Sequence, residues 1–392
     1  MENLNNFFNL STDYFSLTSK KCKFNIERMI GVDGNAHNVL MAYPLPTETQ
    51  NFAFSGTHGL CLTTPYGSLH KKNILASLIS LPQNNVKKTL LFFEEYGFLL
   101  PLPNEGAEID IVSLTETLNR IKATVLLMSA LEAPLKNYEQ ILHLSLYLFM
   151  GKVVTIATAN NMSYKTFQHP LHDTLRNQML TASMPTVNDD GYIYIHDTLY
   201  HSQYKLNADE YEDIVNAETF TFNYPGINDY LYRQLTLAYQ SCVPVQKNIR
   251  LMIEFLFHYM HSVGVIKEVS FANGIEYYGN PNHNNFDNNL KRASLIFARI
   301  ILSGEINHNT RSIRPFYNPG TLEPSWKSPS LLAGLYFSIF YMKPGSEIYR
   351  KCSNPTCSNY FLVKTSNSRK KYCCDNCRNA NNQRSHRLRN QK

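Results

Sequence analysis

Five of the eight cysteines in this 392-residue chain fall within its last 41 residues, in the run Cys352-Ser-Asn-Pro-Thr-Cys357…Cys373-Cys374-Asp-Asn-Cys377. Two close cysteine pairs, 15 residues apart, restrict this segment to folds that bring four sulfurs to one point. Clustered cysteines in a chain expected to be cytosolic read as metal ligands rather than disulfides.

Zinc takes four soft ligands in a tetrahedron, and a C-x4-C turn containing Pro355 presents two of them. The second pair reads as Cys373-x3-Cys377 or as Cys374-x2-Cys377. On a helix starting there, the spacings i,i+4 and i,i+3 both fit. Residues 375–389 lack Pro and Gly and are expected to form that helix. Four thiolates close the coordination shell, so the expected ion is a structural Zn2+ that folds a segment too small to build its own core. Phe361 and Tyr372 are expected to cover the site, and Ser366-Asn-Ser368 to turn a hairpin between the pairs. Cys22, Cys61 and Cys242 are isolated and read as small core residues.

Charge is distributed unevenly. Residues 343–392 carry 12 Lys and Arg against Glu347 and Asp375, a net of +10, which leaves −4 on residues 1–342. A basic appendage on a near-neutral body points to a polyanionic partner. On the C-terminal helix, Cys377, Ala380 and Leu388 are expected to face inward with the aliphatic part of Arg384. Arg378, Asn382, Ser385 and Arg389 then form an outward stripe, flanked by Arg387. Arg and Asn suit guanine and adenine edges, and Ser suits phosphate. Arg369, Lys370 and Lys371 add backbone contacts. Double-stranded DNA is the expected partner; a module docking protein or RNA is the competing expectation.

The run Arg350-Lys-Cys-Ser-Asn-Pro-Thr-Cys357…Phe361…Ser366…Arg369-Lys-Lys-Tyr-Cys373…Cys377-Arg-Asn379 resembles the CGNR zinc-finger family of bacterial presumed transcription regulators. The resemblance covers about 60 residues, 330–390, and favours Cys373 as the third ligand, since Cys374 stands where a Ser is usual. It also implies that Leu331–Met342 leads into the finger from an N-terminal domain that senses a small-molecule ligand. The naming tetrad departs from the family, reading Cys377-Arg378-Asn379-Ala380.

The longest apolar runs, Leu142–Met150 and Leu331–Met342, fall short of the roughly 20 residues that span a bilayer. The expectation is a cytoplasmic protein with no membrane partner. An apolar fraction of 43% supports a packed core. Strands are expected at Asn38–Tyr43, Gly59–Thr63 and Gly191–Asp197. Helices are expected at Asn73–Leu81, after a Ser113–Glu116 capping box, and at Tyr138–Met150, Asn228–Cys242, Lys247–Val263, Asn289–Leu302 and Ser330–Met342, with a further run at Thr89–Phe98. Asn307–Pro329, with four prolines, is expected to be an ordered loop. The fold class is thus mainly α with some β (α+β) over residues 1–342, subdividing near 110 or 205. A treble-clef-like zinc finger follows over 343–392, with the boundary at Lys343-Pro-Gly345.

Weaker constellations exist upstream. Glu254-x3-His258-x2-His261 shares one helix face but lacks the H-E-x-x-H order of a zinc hydrolase, and reads as a packed helix. His169, His172-Asp173 and His196-Asp197 suggest base–orienter pairs without a nucleophile. No phosphate-binding or dinucleotide fingerprint is present. A non-enzymatic regulator is therefore expected, the alternative being an enzyme with its site in residues 1–340.

Overall fold

The computed structural model describes residues 15–30, 36–55, 59–63, 70, 72–83, 85–159, 162–178, 185–215, 227–241, 246–319, 322–342, 347–364 and 370–390. Helices and several small sheets are mixed along the chain, which forms two compact units. The first comprises residues 1–134, 152–167 and 305–392, the second residues 135–151 and 168–304. The expected boundary at Lys343–Gly345 lies outside the described residues.

The first unit is organised by a long antiparallel pair, β1 (Phe15–Ile30) and β2 (Ala36–Ser55), registered from Leu17 opposite Phe52 to Ile30 opposite Ala36. β3 (Gly59–Leu62) and β4 (Ala107–Glu108) add to β2, and β1 pairs in parallel with β12 (Glu323–Lys327), itself antiparallel to β11 (Arg314–Asn318). The proline-rich segment 307–329, expected as a loop, therefore begins as helix and continues as this hairpin. Pro315 lies on the edge strand β11, and Pro324 on β12 outside its pairing with β1, which covers Trp326 and Lys327. β5 (Thr155–Ala159) and β6 (Met162–Lys165) form a separate hairpin.

Helices α1 (Ile74–Ile79), α2 (Val86–Tyr96) and α3 (Ile111–Glu132) start at side-chain caps from Asn73, Asn85 and Asp110. The cap of α3 corrects the sequence expectation. Asp110 accepts from the N–H groups of Val112 and Ser113, so the helix begins before the expected Ser113–Glu116 box, and Ser113 donates its hydroxyl to Asp110. Asp outcompetes Ser because its carboxylate accepts two N–H groups at the positive end of the helix dipole. The apolar helix Leu331–Phe340, numbered α10 in chain order, lies against the sheet; Phe337 stacks on Phe15 at 4.7 Å. Gly334 permits this approach, since a Cβ there would lie 2.9 Å from Leu17 Cδ2.

The second unit contains α4 (Tyr138–Met150), with the bounds expected; the Asn137 side chain caps its start and Gly151 ends it. It also holds α5 (Leu171–Gln178), the hairpin β7 (Tyr192–Asp197) and β8 (Ser202–Asn207), α6 (Ala208–Val215), α7 (Ile227–Gln240), α8 (Lys247–Ser262) and the pair β9 (Ile266–Ser270) and β10 (Gly274–Tyr277). α9 (Asn288–Thr310) begins in this unit, and its last turns, from Glu305, belong to the first. α8 supplies much of the core, burying Phe255, Leu256, Phe257 and Tyr259. Cys22 and Cys61 are core residues, and burial pushes their thiols up to about 12 and about 11. Cys242 lies outside the described residues.

Inside the first unit, Arg120 of α3 and Glu305 are both fully buried and meet at 2.6 Å. Tyr336 donates to Glu305 at 2.9 Å, and Arg120 donates to the Phe167 carbonyl at 3.0 Å. A buried pair of this kind is costly to break singly because it strands one charge. Glu305→Leu is expected to lower stability by about 3–5 kcal/mol in urea unfolding, and adding Arg120→Met to recover part of that loss. A double variant less stable than Glu305→Leu would refute the account.

Candidate metal centre

The C-terminal module is built on β13 (Glu347–Lys351) and β14 (Tyr360–Lys364), paired from Glu347–Lys364 to Lys351–Tyr360. This hairpin encloses the first cysteine pair at its tip; the turn expected at Ser366-Asn-Ser368 lies outside the described residues. At the tip, Cys352 N–H donates to Asn359 O at 2.9 Å and Cys357 N–H to Asn354 O at 2.8 Å. Buried Asn354 accepts from the Thr356 hydroxyl at 3.1 Å, and its amide also hydrogen-bonds the Cys377 thiol. The knuckle is followed, after β14, by α11 (Asp375–Asn390), whose first turn carries Cys377.

The Sγ atoms of Cys352, Cys357, Cys373 and Cys377 all lie within 4.8 Å of one another. Cys373 is 3.8 Å from Cys357 and 3.6 Å from Cys377. Zn–S bonds of about 2.3 Å in a tetrahedron place sulfurs about 3.8 Å apart, so the donor set fits a four-thiolate metal site. Ambiguity over the third ligand is resolved geometrically: Cys373 joins the mutually close group, while Cys374 is exposed. The ion's identity does not follow from the positions alone, since softness and tetrahedral shape also suit other thiophilic metals.

Cys352 is the most buried of the four. Burial pushes its thiol up, but N–H groups of Cys373 and Asn354, with the neighbouring thiols, outweigh this and hold it below its ordinary value. Ile348, Phe361 and Val363 are buried beneath, and Tyr372 packs on the cluster, so Phe361 and Tyr372 cover the site as expected. Asn381 donates to the Tyr372 hydroxyl at 2.9 Å, tying α11 to the cover. The hairpin is also docked within its unit. Tyr349 N–H donates to Ser129 Oγ, Tyr349 Oη to Asn73 Oδ1, and Tyr360 N–H to Ser80 Oγ, at 3.1, 3.2 and 2.7 Å. Nothing in the local sequence pattern announces these long-range contacts.

The basic residues are only partly where the sequence places them. Lys370, Lys371, Arg378, Asn382 and Arg387 are exposed, but Ser385 is half-buried. Ala380 is exposed, and the inner face of α11 carries Cys377, Asn381 and Arg384 instead. Nine residues are two and a half turns, so Arg387 stands on the opposite side of the helix from Arg378 and does not flank its stripe. Arg378 is bridged to Asp375 at 3.2 Å, and Lys370 sits over the Phe361 ring at 5.4 Å. Arg369 and the side chains of Leu388 and Arg389 lie outside the described residues.

The upstream constellations are each tied to protein partners. Asp197 does not use its sequence neighbour His196. It receives His258 Nε2 from α8 at 2.5 Å, Tyr239 Oη at 2.6 Å and Tyr200 N–H at 2.8 Å. Glu254 accepts from Arg250 Nε at 2.8 Å and from the N–H and hydroxyl of Thr198. His261 stacks on Phe257 and bonds Tyr232 Oη. His169 accepts from Leu171 N–H, and burial first, then His172, lowers its imidazole to about 4; His172 donates to Phe149 O and stacks on that ring. The described residues give these groups protein partners, as a packed core requires.

No protein-family model, no curated protein and no solved structure matches this chain.

Each of Cys352→Ser, Cys357→Ser, Cys373→Ser and Cys377→Ser should lose bound metal, measured by mass-spectrometric metal analysis of the purified chain, whereas Cys374→Ser should keep it. Retention by two or more of the four would overturn the ligand set. Burial opposes the ionised form of Asp197, but bonds from His258 and Tyr239 hold its carboxyl below the ordinary value. A depressed carboxyl stabilises above the unfolded pKa of about 3.9 and loses that contribution as pH falls below it. The stability gap between wild type and Asp197→Asn should therefore be full at pH 6 and shrink below about pH 4. A gap unchanged on acidification counts against the assignment.

Proposed function

We propose that the chain is a cytoplasmic DNA-binding transcriptional regulator in which a structural Zn2+ holds a treble-clef-like finger. The single observation that carries this reading is the placement of a basic helix on a four-sulfur site. α11 is anchored through Cys377 and exposes Arg378 and Asn382 on one side, with Lys370 and Lys371 beside its start. The net charge of +10 on residues 343–392 supports a polyanionic partner. The resemblance of the cysteine framework to CGNR-type fingers points the same way.

Lys370, Lys371 and Arg378 supply phosphate contacts, and Asn382 supplies a bidentate donor and acceptor for a base edge. Zn2+ would be held by Cys352, Cys357, Cys373 and Cys377 and would supply folding energy, not chemistry. The body supplies the sensing half of a regulator. Its second unit has a groove of about 940 Å³ lined by His143, Tyr259, Tyr277 and His283, of a size that admits a small organic ligand.

Each neutralised phosphate adds about 0.9 to the slope of log K against log salt on duplex DNA. The zinc-loaded full chain should bind duplex DNA with such a dependence, and Lys371→Ala with Arg378→Ala should weaken binding and reduce the slope by about 2. If the double variant binds as tightly and with the same slope, these residues do not form the interface.

A further inference from the structure

A metal centre of this type accepts four sulfurs, and a fifth stands beside it. Cys374 is exposed, whereas Cys352 is buried and Cys357, Cys373 and Cys377 are half-buried. Its Sγ lies 3.9 Å from that of Cys373. Its carbonyl accepts from Arg378 N–H at 3.2 Å, which places it at the very start of α11, three residues before Cys377. We propose that Cys374 is a reversible oxidation site whose disulfide with Cys377 takes one ligand away from the metal centre.

The adjacent Cys373 is not the bonding partner. Consecutive Cα atoms are about 3.8 Å apart, below the roughly 4.4–6.8 Å over which disulfides form without strain. Residues three apart on an α-helix have Cα atoms about 5 Å apart, inside that window. Cys352 and Cys357 lie on the knuckle, with Cys352 buried behind the hairpin. Accessibility therefore selects Cys374 for first attack, and spacing selects Cys377 to complete the bridge.

With hydrogen peroxide as oxidant, the Cys374 sulfur attacks one peroxide oxygen. The O–O bond breaks, giving a sulfenic acid, and the displaced oxygen leaves as water with the thiol proton. The Cys377 sulfur then attacks the sulfenic sulfur; an S–S bond forms, the S–O bond breaks, and the departing hydroxide takes a proton from solvent to leave as a second water. Two sulfurs lose two electrons and the peroxide gains them.

Removing Cys377 leaves Cys352, Cys357 and Cys373 and takes away the metal ligand that α11 itself carries. The bond from Asn381 to Tyr372 remains between α11 and the module. If the nucleic-acid reading is correct, on which this last consequence rests, oxidation also lowers DNA affinity, because the basic face loses its fixed orientation.

The experiment treats the zinc-loaded full chain with hydrogen peroxide, follows released zinc with a chromogenic chelator, and maps disulfides by mass spectrometry after thiol alkylation. Wild type should release zinc and show a Cys374–Cys377 bridge that dithiothreitol reverses. Cys374→Ser should load zinc like wild type and release it about tenfold more slowly. Equal release rates in the two proteins, or a bridge joining other cysteines, would overturn the proposal. Loss of zinc from untreated Cys374→Ser would also overturn it, making Cys374 a ligand instead. DNA binding is titrated separately. If neither protein binds duplex DNA while release still depends on Cys374, the oxidation site stands and the nucleic-acid reading falls.

Discussion

Coordination by four cysteine sulfurs is the constraint on which the C-terminal module depends. Its apolar cluster amounts to Ile348, Phe361 and Val363 with the cysteines and Tyr372 around them. That is too little burial to order a segment of this size. The three hydrogen bonds that dock its hairpin on Ser129, Asn73 and Ser80 contribute about 1 kcal/mol each. Apparent zinc-binding energies of structural sites run to about 10–16 kcal/mol. A metal held there would decide whether the module folds, and the docking contacts how it is held once folded.

The rest of the chain solves a different problem, that of burying charge without water. Arg120 and Glu305 do so as a direct pair closed by Tyr336 and the Phe167 carbonyl. Asp197 does so as an acceptor for His258, Tyr239 and a backbone N–H. In each cluster the acidic oxygens are consumed by donors from the protein itself. An acid whose lone pairs are spent on fixed donors orients elements well and is poorly placed to abstract a substrate proton. These clusters tie Glu305 to α3 and α10 in the first unit, and β7 to α7 and α8 in the second.

Elements whose causes are local could be read from the chain. Tyr138–Met150 is legible with its correct ends because helical periodicity and the Gly151 stop act within a few residues. The cysteine set was legible because short spacings imply proximity whatever the rest of the chain does. What escaped reading was settled by distant partners. The strand pair 314–327 forms because β12 finds β1 across some 300 residues of sequence, which overrides the local signal of its prolines. Asp197 faces α8 and not its neighbour His196 because successive strand residues point to opposite faces. The inner face of α11 was misjudged for a similar reason. Asn381 is recruited inward by the Tyr372 hydroxyl, which turns Ala380 outward.

Charge and coordination combine to set where a polyanion is attracted. Four thiolates on one divalent ion leave about −2, which offsets only a small part of the +10 on residues 343–392. At physiological salt the screening length is about 8 Å, so only charges close to α11 bear on the field at its exposed face. A metal held by the four sulfurs would fix which side of α11 faces solvent. Cys377 stands about a quarter-turn from Arg378 around the helix, so the sulfur that anchors α11 also determines the direction in which its first arginine is presented.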